Sequence, residues 1–234
     1  MSDILLTSPP QAQDESPKRR QVLHAATELF LAQGYGAVSM DMVARAAAVS
    51  KATLYAYFAS KDALFGTIVR EFGLVTWLDD TLFPERVTDL RAALERLGGR
   101  MMRFLLQERT LGIYRIAVAE SARFPELGRA FYDAGPGVCL ARAAQWLARQ
   151  QAAGLMRAGD AEVATHQLMS LLRAGVLLRA TLALPPPPSD AEIDATVAAA
   201  VETWLRAYAP AAPEPATREP AGAGFTAPAS LAYV

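Results

Sequence analysis

The sequence predicts an all-α fold, with an N-terminal three-helix, helix-turn-helix head followed by a larger helical domain. Three observations carry this reading. Apolar residues recur at helical spacing through most of the chain, and no strand-type alternation stands out. Serine or aspartate repeatedly marks helix starts, and glycine or proline marks helix ends. Two of those starts, Ser50 and Ser60, stand ten residues apart, and each is followed at once by a lysine, Lys51 and Lys61.

Taken in order, residues 1–15 are polar, contain Pro9-Pro10 and read as a flexible arm. Ser16-Pro17 opens the first helix, with serine at N-cap and proline at N1. Val22, Ala25, Ala26, Leu29 and Phe30 then form one apolar face, and Gly34 and Gly36 end the helix. Ser39 caps a second, short helix with Asp41 in its first turn and Met42, Val43, Ala46 and Ala47 on its apolar side. A tight turn through Ala48-Val49 leads to Ser50 and the third helix, where Val49 is placed to pack on Leu54 as a hydrophobic staple. The fourth helix runs from Ser60 to about Leu78. The head is thus residues 16–78, with the helix-turn-helix at about 39–58, and the second domain is residues 79–208. In the latter the spacing predicts helices over 86–106, 110–122, 126–134, 137–153, 160–182 and 190–208, punctuated by Pro125, Pro136, Gly154, Gly159 and Pro185–Pro188. Residues 209–234, rich in alanine, proline and glycine, read as a disordered tail.

The two lysines give the head its chemistry. A cation at a helix N-terminus opposes the macrodipole, by roughly 0.3–1 kcal/mol, so the pair asks for an anion nearby. Helix N-termini bind phosphates well, and DNA supplies phosphates in rows. Between Pro17 and Lys61, six cations (Lys18, Arg19, Arg20, Arg45, Lys51, Lys61) stand against Glu28 and Asp41, although the whole chain carries a net charge of only −1. At 100° per residue, Leu54, Tyr57 and Phe58 of the third helix cluster on one side, against the first two helices, and Lys51, Ala52, Tyr55 and Ala56 fall on the other. A small, lysine-headed face of this kind fits a major groove, with Lys51 donating to guanine and Ala52 touching a thymine methyl. Thr53, Tyr55, Tyr57 and Lys61 suit phosphates, as do Ser39 and Ser50 at the two helix starts.

Other classes fit less well. The sequence holds no G-x-G-x-x-G, Walker A, H-E-x-x-H or nucleophile elbow, and its two histidines, His24 and His166, stand far apart with no Glu-x-x-His pair, so no enzyme, metal site or cofactor is expected. The single cysteine, Cys139, excludes an internal disulfide and reads as a small buried apolar residue. Ile4-Leu5-Leu6 is too short for a secretory core, and Arg173 and Arg179 interrupt the best candidate for a membrane span. A soluble cytoplasmic protein is the expectation. A helical protein-interaction adaptor that never touches DNA is the competing function; it predicts partner binding insensitive to Lys51 and Tyr55.

The run from Lys18 to Leu64, with ELFLAQGYGAVSMDMVARAAAVSKATLYAYFASKDAL, closely resembles the N-terminal domain of TetR-family transcriptional regulators. Two departures are visible: Ala48 sits in a turn where the family often has glycine, and Ala52 replaces a frequent glycine on the reading helix. RIAVAESARFPELGRAFYDAGP, from Arg115, resembles the effector domain of the AefR-like branch, which is associated with repressors of efflux and signalling functions. The resemblance implies a homodimer on a palindromic double-stranded DNA operator, released by a small apolar or amphipathic effector. It places the dimer surface on the final long helices, where Leu168, Leu171, Leu172, Val176 and Leu178–Leu184 face a stripe of Ile193, Val197, Val201 and Leu205. It places the effector between the helices of residues 60–150, with Phe72, Trp77, Met101, Met102, Phe104, Tyr114, Phe131 and Trp146 as candidate lining residues. Glu120 is out of place on the apolar Ile113, Ile116, Ala117 face, which makes it a candidate for an effector contact or for a buried partner of Arg115 or Arg123.

Overall fold

A computed structural model describes residues 16–77 and 82–210, with side chains for all of these except 73–77. The expected arm over residues 1–15, the tail beyond Pro210 and the domain boundary at 78/79 lie outside the described residues, as does the side chain of Trp77. The described chain is all helical: α1 Pro17–Gln33, α2 Met40–Ala46, α3 Lys51–Tyr57, α4 Lys61–Trp77, α5 Leu90–Leu105, α6 Glu108–Glu120, α7 Pro125–Ala134, α8 Pro136–Ala152, α9 Ala161–Arg173, α10 Val176–Thr181 and α11 Asp190–Tyr208.

Most helix starts are those the caps predict. Ser39 Oγ accepts from Met42 N at 3.2 Å, Ser50 Oγ from Thr53 N at 3.0 Å, and Ser60 Oγ from Ala63 N at 3.2 Å. Asp89, Asp160 and Ser189 cap α5, α9 and α11 in the same way. Ser16 is different. Its side chain makes no cap; its hydroxyl instead meets the Tyr57 hydroxyl at 2.9 Å, tying the start of α1 to the end of α3. The α2–α3 turn takes the strained option open to it. Ala48 lies at φ 49°, a left-handed conformation that costs a non-glycine residue roughly 1–2 kcal/mol. In α2 the buried residues are Met40, Val43 and Ala44; Ala46 is exposed, and Ala47 is buried as the C-cap.

The helix expected over 160–182 is two helices. The chain leaves α9 at Ala174 (ψ 125°), passes through Gly175 at φ 74° and restarts as α10. Glycine adopts that backbone without steric cost, so the apolar periodicity runs on across a break it does not reveal. Arg115 of α6 then donates to the carbonyl of Thr181 and adds a second donor to that of Ala180, which already accepts from Ala183 N, so it caps the end of α10. The helix expected from residue 86 starts later, at the Asp89 cap.

Two apolar cores result. One is built on Val22, Phe30, Tyr35, Leu54 and Phe65, and it takes in Ile113 of α6 and Leu127 of α7. The other centres on Leu94, Trp146, Leu172, Val201 and Trp204. α4 packs along α7, α1 touches α6, and α11 packs on α5 and α9. The head is therefore seated on the second domain through side chains the two share. The apolar residues expected to form a dimer surface are mostly spent here: Leu168, Leu172, Val176, Ile193, Val197 and Val201 are buried within the subunit. Packing α11 against α5 and α9 consumes both stripes, so they are not free for a partner. What remains outside is Leu178, Leu182 and Leu184, which are 63%, 60% and 49% exposed.

Candidate functional site

The outer surface of the head carries seven of the eight residues expected to meet DNA. Ser39, Ser50, Lys51, Ala52, Tyr55 and Tyr57 are exposed and Thr53 is half-buried, while Leu54 and Phe58 turn inward. Tyr57 belongs to the exposed set rather than to the packing side on which periodicity places it, because its hydroxyl reaches Ser16 at the surface. Lys51 Nζ donates to Asp41 Oδ2 at 2.6 Å across the turn. The anion that answers its awkward position at the start of α3 is thus, in the free protein, a carboxylate of α2. Both partners are well exposed, so the pair contributes little and an incoming phosphate or guanine can displace the carboxylate.

Lys61 does not join this face. Its ammonium donates to the carbonyl oxygens of Tyr35 at 2.8 Å and Val38 at 2.9 Å. It also sits 4.1 Å from the centre of the Tyr35 ring. Desolvation lowers its pKa, while the carboxylates of Glu120 and Glu126 pull the other way. Its charge is spent inside the head, holding the α1–α2 loop, and the expected phosphate contact is corrected accordingly.

The same loop is also gripped by Glu120, the last residue of α6. Glu120 Oε1 accepts from Tyr35 N at 2.6 Å, and Oε2 accepts from Gly36 N at 2.7 Å. A Cβ on residue 36 would stand 2.9 Å from Oε2 and 3.0 Å from the Phe124 ring, so glycine there is what lets the carboxylate approach. The out-of-place carboxylate has its explanation: its oxygens go to the α1–α2 loop rather than to Arg115 or Arg123, and the residue stands outside the cavity wall. The bond joins residues 84 and 85 apart in sequence, so no local signal points to it.

A cavity of about 110 Å³ lies between the helices of the second domain and α4. Of the expected lining residues, Phe72, Met101, Phe104, Tyr114 and Phe131 border it, together with Thr110, Cys139 and Arg173, which the sequence reading missed. Met102 and Trp146 are not among its walls. Trp146 is wholly buried in the second core, its Nε1 donating to Pro84 O at 3.0 Å and its ring edge-on to Phe83. Burial pushes the Cys139 thiol up to about 12, against the pull of Arg173 and Arg142, so it stays protonated and unreactive. Among the described residues no group of three His, Cys, Asp or Glu is arranged to hold a metal, and no helix is long and apolar enough to cross a membrane.

Comparison with known proteins gives two family matches. Residues 22–68 match the tetR family of bacterial regulatory proteins, and residues 92–210 match the C-terminal domain of AefR-like transcriptional repressors. Among solved structures, the flavonoid-responsive regulator FrrA is 36% identical over 83% of this chain and 98% of its own, with a TM-score of 0.71. A TetR-family transcriptional regulator from Mesorhizobium loti is 29% identical over 85% of this chain and all of its own, with a TM-score of 0.73. Curated relatives match over shorter stretches. UidR of Escherichia coli K12 is 38% identical over 24% of this chain and 29% of its own length. The transcriptional activator FasR of Mycolicibacterium smegmatis is 39% identical over 33% and 37%. The matched segments span well under half of either of these two relatives.

Proposed function

The chain belongs to the tetR family of bacterial regulatory proteins and is a transcriptional regulator rather than an enzyme, and from that premise we propose that it is a homodimeric repressor released from a palindromic operator by a small molecule. The observation that carries this reading is the exposed face of α3, with Lys51, Ala52 and Tyr55 outermost on a head whose core is otherwise closed. An α-helix with such a face enters the major groove, and a twofold pair of them reads half-sites roughly 34–36 Å apart. Repression is supported by the AefR-like repressor match across the second domain. Dimerisation is supported by the leucines left outside on and just beyond α10. An apolar or amphipathic effector is supported by the cavity and by the likeness to a flavonoid-responsive regulator.

In this mechanism the effector favours a state in which the two reading helices no longer match the groove spacing. The coupling equals the difference in its affinity for the two states. α4 and α6 are the carriers, since each contributes to the cavity and to the head's core.

Fluorescence anisotropy on the upstream intergenic DNA across a salt series, with an unrelated duplex as control, tests the reading. Lys51→Ala is expected to weaken specific binding by roughly 1–3 kcal/mol and relax base preference. Lys61→Ala is expected to leave the salt slope unchanged and to lower the stability of the head instead, by about 2 kcal/mol for two charged hydrogen bonds in a half-buried setting. Wild-type binding by Lys51→Ala would remove α3 from the groove. Failure of the unmutated protein to bind any duplex at low salt would move the weight to the adaptor.

A further inference from the structure

Among the described residues lining the cavity, Arg173 is the one formally charged group, and none of them is an aspartate or glutamate. It stands at the end of α9, where its Nε donates back to Met169 O at 2.8 Å. Its terminal amino groups have no partner among the described residues. The hydroxyls of Thr110 and Tyr114, also on the wall, likewise make no hydrogen bond among the described residues. The rest of the described lining is apolar or aromatic apart from the protonated thiol of Cys139. A guanidinium bordering an apolar space gives up hydration, and that loss is recovered when an anion meets it with satisfied geometry. Its planar fork matches a carboxylate in particular.

We propose that this cavity takes a compact monoanion, with an apolar body against Phe72, Phe104 and Phe131 and a carboxylate on Arg173, which the Thr110 and Tyr114 hydroxyls are available to supplement. The inference rests on the reading of the cavity as the effector site. Its volume of about 110 Å³ limits the body to the size of a single ring or a short acyl chain; an engineered apolar cavity of about 150 Å³ holds benzene. A body of that size accounts for the aromatic wall, and the carboxylate for the single unmatched charge.

The test is isothermal titration calorimetry of the full chain with benzoate and hexanoate and their neutral isosteres, benzamide and hexanamide, repeated on Arg173→Gln and Arg173→Lys. The carboxylates are expected to bind the unmutated protein about tenfold or more tighter than the amides. Arg173→Gln should erase that ratio while leaving amide binding in place, and Arg173→Lys should retain part of it. Whichever acid binds tighter identifies the apolar body as ring or chain. Equal binding of acids and amides would overturn the anion inference and leave the effector reading standing. A preference that survives in Arg173→Gln would overturn the role of Arg173. If no probe of either charge binds, both the inference and the effector reading fall. Should Arg173→Gln not fold, the acid-to-amide ratio of the unmutated protein still decides.

Discussion

Glu120→Ala is expected to cost about 2–3 kcal/mol of folding stability and to weaken operator binding in the absence of any effector. The carboxylate makes two short, charge-assisted bonds to Tyr35 N and Gly36 N, and each such bond is worth about 1.5–3 kcal/mol net. The half-exposed setting takes the total to or below the lower end of the two bonds' sum, since water repays part of what is lost. Once the bonds are gone, Lys61 is the remaining side-chain hydrogen-bond partner of the α1–α2 loop backbone among the described residues, and α6 keeps the head through Ile113 and the Arg109–Glu28 ion pair. Glu120→Gln keeps the shape and one acceptor oxygen and should fall in between. Urea unfolding together with DNA anisotropy on the same samples measures both effects. Stability and affinity equal to wild type in Glu120→Ala would show that the head is positioned by the shared apolar core alone.

The largest stability loss is expected for Trp146→Ala, about 3–5 kcal/mol, the range for truncating a large aromatic in a packed core. For a chain of this size that corresponds to a fall in Tm of roughly 6–20 °C. The side chain is wholly buried, packs on Phe83 and donates to Pro84 O, so truncation removes apolar burial and strands a carbonyl. Trp146→Phe keeps most of the volume and should cost about 1–2 kcal/mol for the lost hydrogen bond. Phe104→Ala, by contrast, widens a cavity that already exists, and its expected signature is altered ligand binding with a smaller drop in Tm. Thermal denaturation of the three variants separates a core tryptophan from a cavity wall. A Trp146→Ala protein that melts like wild type but responds differently to ligand would return Trp146 to the effector site.

The head was almost wholly legible because its signals are local. Pro17 at N1, Ser39 and Ser50 as caps, Gly34 as a C-cap at φ 80°, and the inward Leu54 and Phe58 all follow from residues within one or two turns of each other. The exposed side of α3 follows from the same 100° rotation, and its one error, Tyr57, lies at the edge of that face where a neighbour's hydroxyl decides the outcome. The cavity was half legible. Aromatic and sulfur side chains at helical spacing mark both core and cavity wall, and nothing in the spacing separates Phe104, which borders the space, from Trp146, which does not.

By itself the sequence determined most of the helices and caps, the helix-turn-helix and the outward face of α3, because helical bonds and caps join residues three or four apart. The tertiary structure alone decided where the long-range polar groups are spent. It turned Lys61 inward onto Tyr35 and Val38, brought Glu120 across 84 and 85 residues to the same loop, and seated Arg115 on the end of α10. It also consumed the apolar stripes of α9 and α11 inside one subunit and left Arg173 facing an apolar cavity. The physical reason is common to all of these. A charged or apolar side chain takes its role from what lies opposite it, and that is set by how helices distant in sequence pack, not by the residues beside it in the chain.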